Sequence, residues 1–133
     1  MNRARQELDR ATLDAARAMA DRLDLDETWG VVLGADGWHP GVIGIVASRL
    51  VEELARPVFM VALDRGVGKG SGRSISAFDL HGALTACRDL LVRYGGHRAA
   101  PGITLDAERM PAFPARFYAL ARGRLPLDDL LPR

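Results

Sequence analysis

The stretch from Trp29 to Leu63 limits the fold more than any other part of the sequence. Trp29 to Leu33 (WGVVL) is a compact apolar run, rich in β-branched residues and too short for a helix, which predicts a buried strand. From Val42 to Leu54 the residues Ile43, Val46, Leu50 and Leu54 return at helical spacing, and Pro57 stops the helix two residues beyond Ala55. Val58 to Leu63 (VFMVAL) predicts a second buried strand. Strand, crossover helix and strand make a right-handed βαβ unit, so the two strands pair in parallel if they share a sheet.

Around this unit the pattern predicts a small α/β fold with a mixed sheet and flanking helices, preceded by a long helix. From Asn2 to Leu23 the positions Leu8, Thr12, Ala15, Met19 and Leu23 mark one helical face, and Arg3, Glu7, Arg10, Asp14, Arg17 and Asp21 alternate in sign on the other. After the second strand, Gly66 to Ser71 reads as a glycine loop leading to a short strand from Arg73 to Ser76. Leu80, Leu84, Cys87 and Leu91 then fall on a helix that Ser76 or Asp79 could cap and Gly95 would end. A brief strand, Ile103 to Leu105, and a last helix, Glu108 to Arg122, complete the expectation.

A chain of 133 residues with 48% apolar and 26% charged residues has material for one packed core and little room for a second domain. No apolar run approaches the ~18 residues of a membrane span, and the charged opening MNRARQELDR lacks the apolar middle of a signal peptide, so a cytoplasmic location is expected. The single cysteine, Cys87, excludes an internal disulfide and sits on an apolar face where thiols are inert. Charge is uneven: residues 65–98 carry a net +4 and the remainder −3. A basic middle suits a phosphate-bearing partner, although the same charges are ordinary for a solvated surface.

Three loops hold the candidate chemistry. Gly37 to Gly44 joins a strand to a helix, where backbone N–H groups and the helix dipole favour an anion; the alternative is a tight turn in which Trp38 packs and His39 caps the helix. Gly66 to Ser74 combines alternate glycines with Lys69, Ser71, Arg73 and Ser74, an ammonium, two hydroxyls and a guanidinium fork that fit a phosphate; the alternative is a flexible hairpin loop with no ligand. It lacks the order of a nucleotide-triphosphate loop. Gly95-Gly96-His97-Arg98 could bring an imidazole and a guanidinium to a phosphate or sugar. His39, His81 and His97 have no close carboxylate pair, so no metal site is expected on this chain, and His81 reads as structural. From the residues alone, the chain is a phosphate-binding α/β module without a catalytic group.

Five ordered blocks then become recognisable: GWHPGVIGIVASRL at 37–50, RPVFMVAL at 56–63, GKGSGRSI at 68–75, FDLHGAL at 78–84 and GGHRAAPG at 95–102. They resemble the DHH-associated substrate-binding domain (DHHA1) of the RecJ family of single-stranded-DNA exonucleases, and Asn2 to Gln6 resembles the start of that family's interdomain helix. The resemblance implies a piece of a 5′-to-3′ exonuclease of recombination and repair. Residues 1–25 would be the linker helix, 26–124 the substrate-binding domain and 125–133 the beginning of a further segment. A DHH domain outside this chain would bind manganese or magnesium and cut, docking through the N-terminal helix and the cleft face, while this chain holds single-stranded DNA. By motif, Ser71 and Arg73 would hold the 5′-terminal phosphate, and Gly95, Gly96 and His97 would face the nucleotide beside the metals. Pro101 departs from the family's usual alanine and removes one backbone donor. Two other classes remain open: a stand-alone nucleic-acid adaptor without catalysis, and a phosphoesterase of the DHH kind acting on short RNA or dinucleotides.

Overall fold

The structure, a computed structural model, describes residues 3–24, 28–76, 78–97 and 100–124, without the side chains of residues 3–5, 97 and 124. Four helices, α1 (Arg3–Asp21), α2 (Pro40–Leu54), α3 (Leu80–Ala86) and α4 (Ala112–Arg124), flank five strands: β1 (Val31–Asp36), β2 (Val58–Asp64), β3 (Val67–Arg73), β4 (Arg93–His97) and β5 (Ala100–Asp106). The predicted βαβ unit is present. β1 and β2 run parallel, from Val31 opposite Val58 to Asp36 opposite Leu63. Pro40 opens α2, where its missing N–H costs nothing, and Ala55 ends it in the left-handed region with its N–H on the Val51 carbonyl. β1 starts two residues later than the apolar run predicts, and Gly30 before it lies against the Phe117 ring, where a Cβ would stand 2.7 Å away.

The sheet is mixed, in the order β1-β2-β3-β5-β4. The largest departure from expectation is β3. The predicted glycine loop is a seven-residue strand, antiparallel to β2 from Val58–Arg73 to Asp64–Val67 and to β5 from Val67–Asp106 to Ser71–Gly102. The turn is confined to Arg65 and Gly66, both at positive φ (52° and 81°), the two-residue hairpin whose twist matches its strands. Gly68, Gly70 and Gly72 recur with the period of a strand and face the core. A Cβ on them would stand 2.8 Å from Val61 Cγ1, 2.8 Å from Ile103 Cγ1 and 2.5 Å from the Phe59 ring. These glycines admit bulky neighbours rather than a ligand, which corrects the reading of the segment as a phosphate-cradling loop.

The second departure is at Gly95-Gly96-His97, which ends no helix. α3 closes at Ala86, a single 3-10 turn (Arg88–Leu90) follows, and the chain turns into β4, paired with β5 from Arg93–Thr104 to His97–Ala100. Cys87 is buried as expected, Leu90 is buried in place of Leu91, and Asp79, not Ser76, caps α3 through the Gly82 N–H (3.1 Å). Pro101 pairs with Gly96 in β5 beyond the last β3 partner, so its lost donor disturbs one ladder only.

Two apolar layers cover the sheet. On one face α3 and α4 bury Phe59, Val61, Ile103 and Leu105 with Phe78, Leu84, Phe113 and Phe117, the aromatic rings meeting edge to face. On the other, α1 and α2 bury Val31, Leu33, Val58, Met60 and Ala62. The buried stripe of α1 is Thr12, Ala16 and Ala20; Ala15 and Leu8 are exposed, which corrects the predicted face. Small residues let α1 approach α2 closely, and Arg17 reaches across to Glu53 with a forked pair (2.9 and 2.6 Å). No described helix is long and apolar enough to cross a membrane.

Candidate nucleic-acid interface

Alternation along β3 divides its residues between two faces. Gly68, Gly70 and Gly72 point into the α3/α4 core, so Lys69, Ser71 and Arg73 share the opposite face with α2. The apolar layer on that face is built from β1, β2, α1 and α2, with Gly44 of α2 lying against Ser71 and Arg73 of β3, and it leaves the β5-β4 part of the sheet uncovered. Over this open part lies a shallow cavity of about 400 Å³, lined by Lys69, Arg93, Gly95, Gly96, Gly102 and Thr104 among others.

Register orders the open face in rows. Lys69 is opposite Thr104, and Thr104 opposite Arg93; two residues further, Ser71 is opposite Gly102, and Gly102 opposite Gly95. Directly paired residues point to the same face, and successive rows lie about 6.6 Å apart. The middle row therefore carries one hydroxyl and two glycines. A Cβ on Gly95 would meet nothing within 4 Å, and on Gly102 only the Gly70 carbonyl at 3.6 Å, so space above this floor is free. Two residues beyond the Ser71–Gly102 pair come Arg73 on β3 and Ala100 on β5, and Ala100 pairs with His97. The backbones of Arg73 and His97 thus stand at one end of the sheet. The side chain of His97, and all of Arg98, lie outside the described residues.

Arg73 dominates the electrostatics. Its guanidinium rests over Gly44 in α2, where a Cβ would come within 2.7 Å of Nη2, and its Nη1 donates to the Gly72 carbonyl (2.8 Å). Partial burial pushes its pKa down, and among the described residues no carboxylate pairs with it. A half-desolvated cation with most of its donor fork unused has the chemistry to receive an anion. The other candidates divide. Ser71 stands beside Arg73 and Gly44. Lys69 is exposed in the row with Thr104. The Ser74 hydroxyl is engaged by the Ile75 and Phe78 carbonyls (3.1 and 3.0 Å), tying down the turn into α3. His39 accepts the Gly41 N–H on Nδ1 (2.9 Å), which leaves Nε2 to carry the proton. It lines a second cavity of about 570 Å³ with Trp38, Ala62, Leu63 and Val67, and Lys69 borders both cavities. Sequence reasoning missed Arg93 and Thr104; the signal was their even spacing from Gly95 and Gly102, legible only once β4 and β5 are recognised as a hairpin.

The family model of the DHHA1 domain matches residues 27–122. The chain belongs to the DHHA1 family. The single-stranded-DNA-specific exonuclease RecJ of Bacillus subtilis is 40% identical to this DHHA1 chain over 99% of its length, and that of Thermus thermophilus 43% identical over 99%. The match spans 17% and 20% of those two proteins, so the chain covers about a fifth of the relatives' length. A crystal structure of RecJ in complex with Mg2+ from Thermus thermophilus superposes with a TM-score of 0.80 at 44% identity, over 92% of this chain and 18% of that one. An exonuclease RecJ bound to manganese gives 0.78 at 43% identity, over 92% and 30%. The described residues of this DHHA1 chain contain no group of three His, Cys, Asp or Glu side chains placed to hold such an ion.

Proposed function

We propose that this DHHA1 domain is the substrate-holding part of a RecJ-like exonuclease that removes nucleotides from the 5′ end of single-stranded DNA in recombination and repair. The open β5-β4 face beside β3 receives the strand, with Arg73 and Ser71 on the 5′-terminal phosphate and the backbone lying over Gly95, Gly96 and Gly102; by motif His97 faces the nucleotide beside the metals, and His39 is a further candidate contact. Cutting belongs to a DHH domain carrying manganese or magnesium, which meets this chain through α1 and the cleft face. The observation that carries the reading is the half-buried, carboxylate-free guanidinium of Arg73 at the edge of a glycine floor. A terminal phosphate carries up to two charges against one for an internal diester, so an unused arginine fork favours ends.

The experiment is a mixture of the purified chain with Mn2+ and a 5′-phosphorylated oligonucleotide. Anisotropy should report binding that weakens with salt, while chromatography detects no mononucleotide. Release of mononucleotide contradicts the division of labour, and binding of double-stranded RNA in preference to single-stranded DNA contradicts the substrate.

A further inference from the structure

We infer that the Lys69–Thr104–Arg93 row is a second phosphate position, which takes an internal phosphodiester of the same strand whose terminal phosphate lies at Arg73. The inference rests on the Proposed function and adds to it a path, a direction and a minimum length. Lys69 and Arg93 flank Thr104 from either side, two strand spacings or about 9.6 Å apart at the backbone. Neither makes an ion pair among the described residues, and no hydrogen bond engages the Thr104 hydroxyl there. Two cations and a hydroxyl facing one cavity, without a carboxylate, are the donor set of a phosphate site.

The row is also spaced for a continuous strand. It lies two rows, about 13 Å, from the Arg73 row, and only Ser71, Gly102 and Gly95 stand between them. An intervening row with bulky side chains would force the backbone off the sheet; this one, with one small hydroxyl and two glycines, lets a phosphate and sugar lie on the floor. With the terminal phosphate at Arg73, the strand runs antiparallel to β3, from its C-terminal end toward the Arg65-Gly66 hairpin. A mononucleotide cannot reach both rows, and a 5′-phosphorylated trinucleotide can. Dispersed surface charges would strengthen binding gradually with each added phosphate, without a step at three nucleotides.

Calorimetric titration of 5′-phosphorylated oligothymidylates of one to six nucleotides tests this with three proteins: wild type, Arg73→Ala, and Lys69→Gln combined with Arg93→Gln. The glutamine variants change exposed side chains, and a melting curve verifies their fold. The double variant should bind the mononucleotide as wild type does and lose about tenfold or more on three nucleotides and longer. Its log–log salt slope should fall by about 0.7 for each phosphate it no longer neutralises. Arg73→Ala should weaken every length. Full trinucleotide affinity in the double variant, or equal losses on one and six nucleotides, overturns the second position while leaving Arg73's role intact. An unchanged Arg73→Ala titration overturns the terminal-phosphate reading and this inference with it.

Discussion

The Arg73 guanidinium occupies the volume that any side chain on Gly44 would need: Nη2 lies 2.7 Å from the position of a Cβ there. Gly44→Ala thus separates stability from binding. Alanine is the better helix former by about 1 kcal/mol, and the clash is relieved by swinging the tip of one flexible side chain. The variant should melt no earlier than wild type yet bind 5′-phosphorylated DNA several-fold less tightly. Equal affinity would show that the guanidinium's resting place over α2 has no part in binding.

Gly72 and Gly102 predict opposite outcomes for the same substitution. Gly72→Ala drives a methyl into the Phe59 ring and Leu80 inside the core, and should cost about 1–3 kcal/mol in denaturant unfolding. Gly102→Ala makes only an ordinary contact with the Gly70 carbonyl, so its stability should stay near that of wild type. By raising the floor between the two cationic rows it should reduce DNA affinity. Denaturation and anisotropy on both variants check the pair.

Tyr118 closes the β1 edge of the sheet. Its hydroxyl accepts the Val32 N–H (3.1 Å) and donates to the Val32 carbonyl (3.2 Å), satisfying outward groups of an edge strand. Tyr118→Phe should cost about 1–3 kcal/mol, because both Val32 groups lose their partner. Burial raises the tyrosine pKa in the folded state, with the Val32 hydrogen bond partly opposing the shift. An acid raised on folding stabilises the fold below its unfolded value of about 10 and loses that contribution as pH climbs through the folded value. Wild type should therefore lose stability above pH ~10 more steeply than Tyr118→Phe. Parallel alkaline profiles would contradict the assignment.

Much of this architecture is written in side-chain periodicity, and the misread parts are those where the signal lies in absent or small side chains. Ile43, Val46 and Leu50 announce α2, and VFMVAL announces β2, because large apolar groups mark the buried face directly. β3 announces itself by glycine at every second position, which has the period of a strand but looks like a loop, since the bulk filling those places belongs to Phe59, Val61 and Ile103. On α1 the eye follows Leu8 and Met19, while the close helix contact selects Thr12, Ala16 and Ala20. Within the site, Arg73 and Ser71 are legible by residue type. Arg93 and Thr104 are not, because register across β3, β5 and β4 alone aligns them with Lys69. Ser74, legible as a hydroxyl beside Arg73, is held by two backbone carbonyls of its own turn.

The terminal phosphate supplies its own pH test. Its second ionisation lies near pH ~6, so preference for a phosphorylated end over a hydroxyl end should shrink as pH drops from about 7.5 to about 5.5. Arg73 stays protonated throughout, so the change belongs to the ligand. A constant ratio across that range would indicate that the phosphate's second charge is not sensed.

The most direct test crosses the arginine with the phosphate: affinities of wild type and Arg73→Ala for one oligonucleotide with a 5′ phosphate and with a 5′ hydroxyl. Removing a charged hydrogen bond should cost about 1.5–3 kcal/mol on the phosphorylated strand and little on the other, so the variant loses the preference for phosphorylated ends. Equal losses on both strands would mean that Arg73 only adds general positive field, and the account of how the open face selects an end would be wrong.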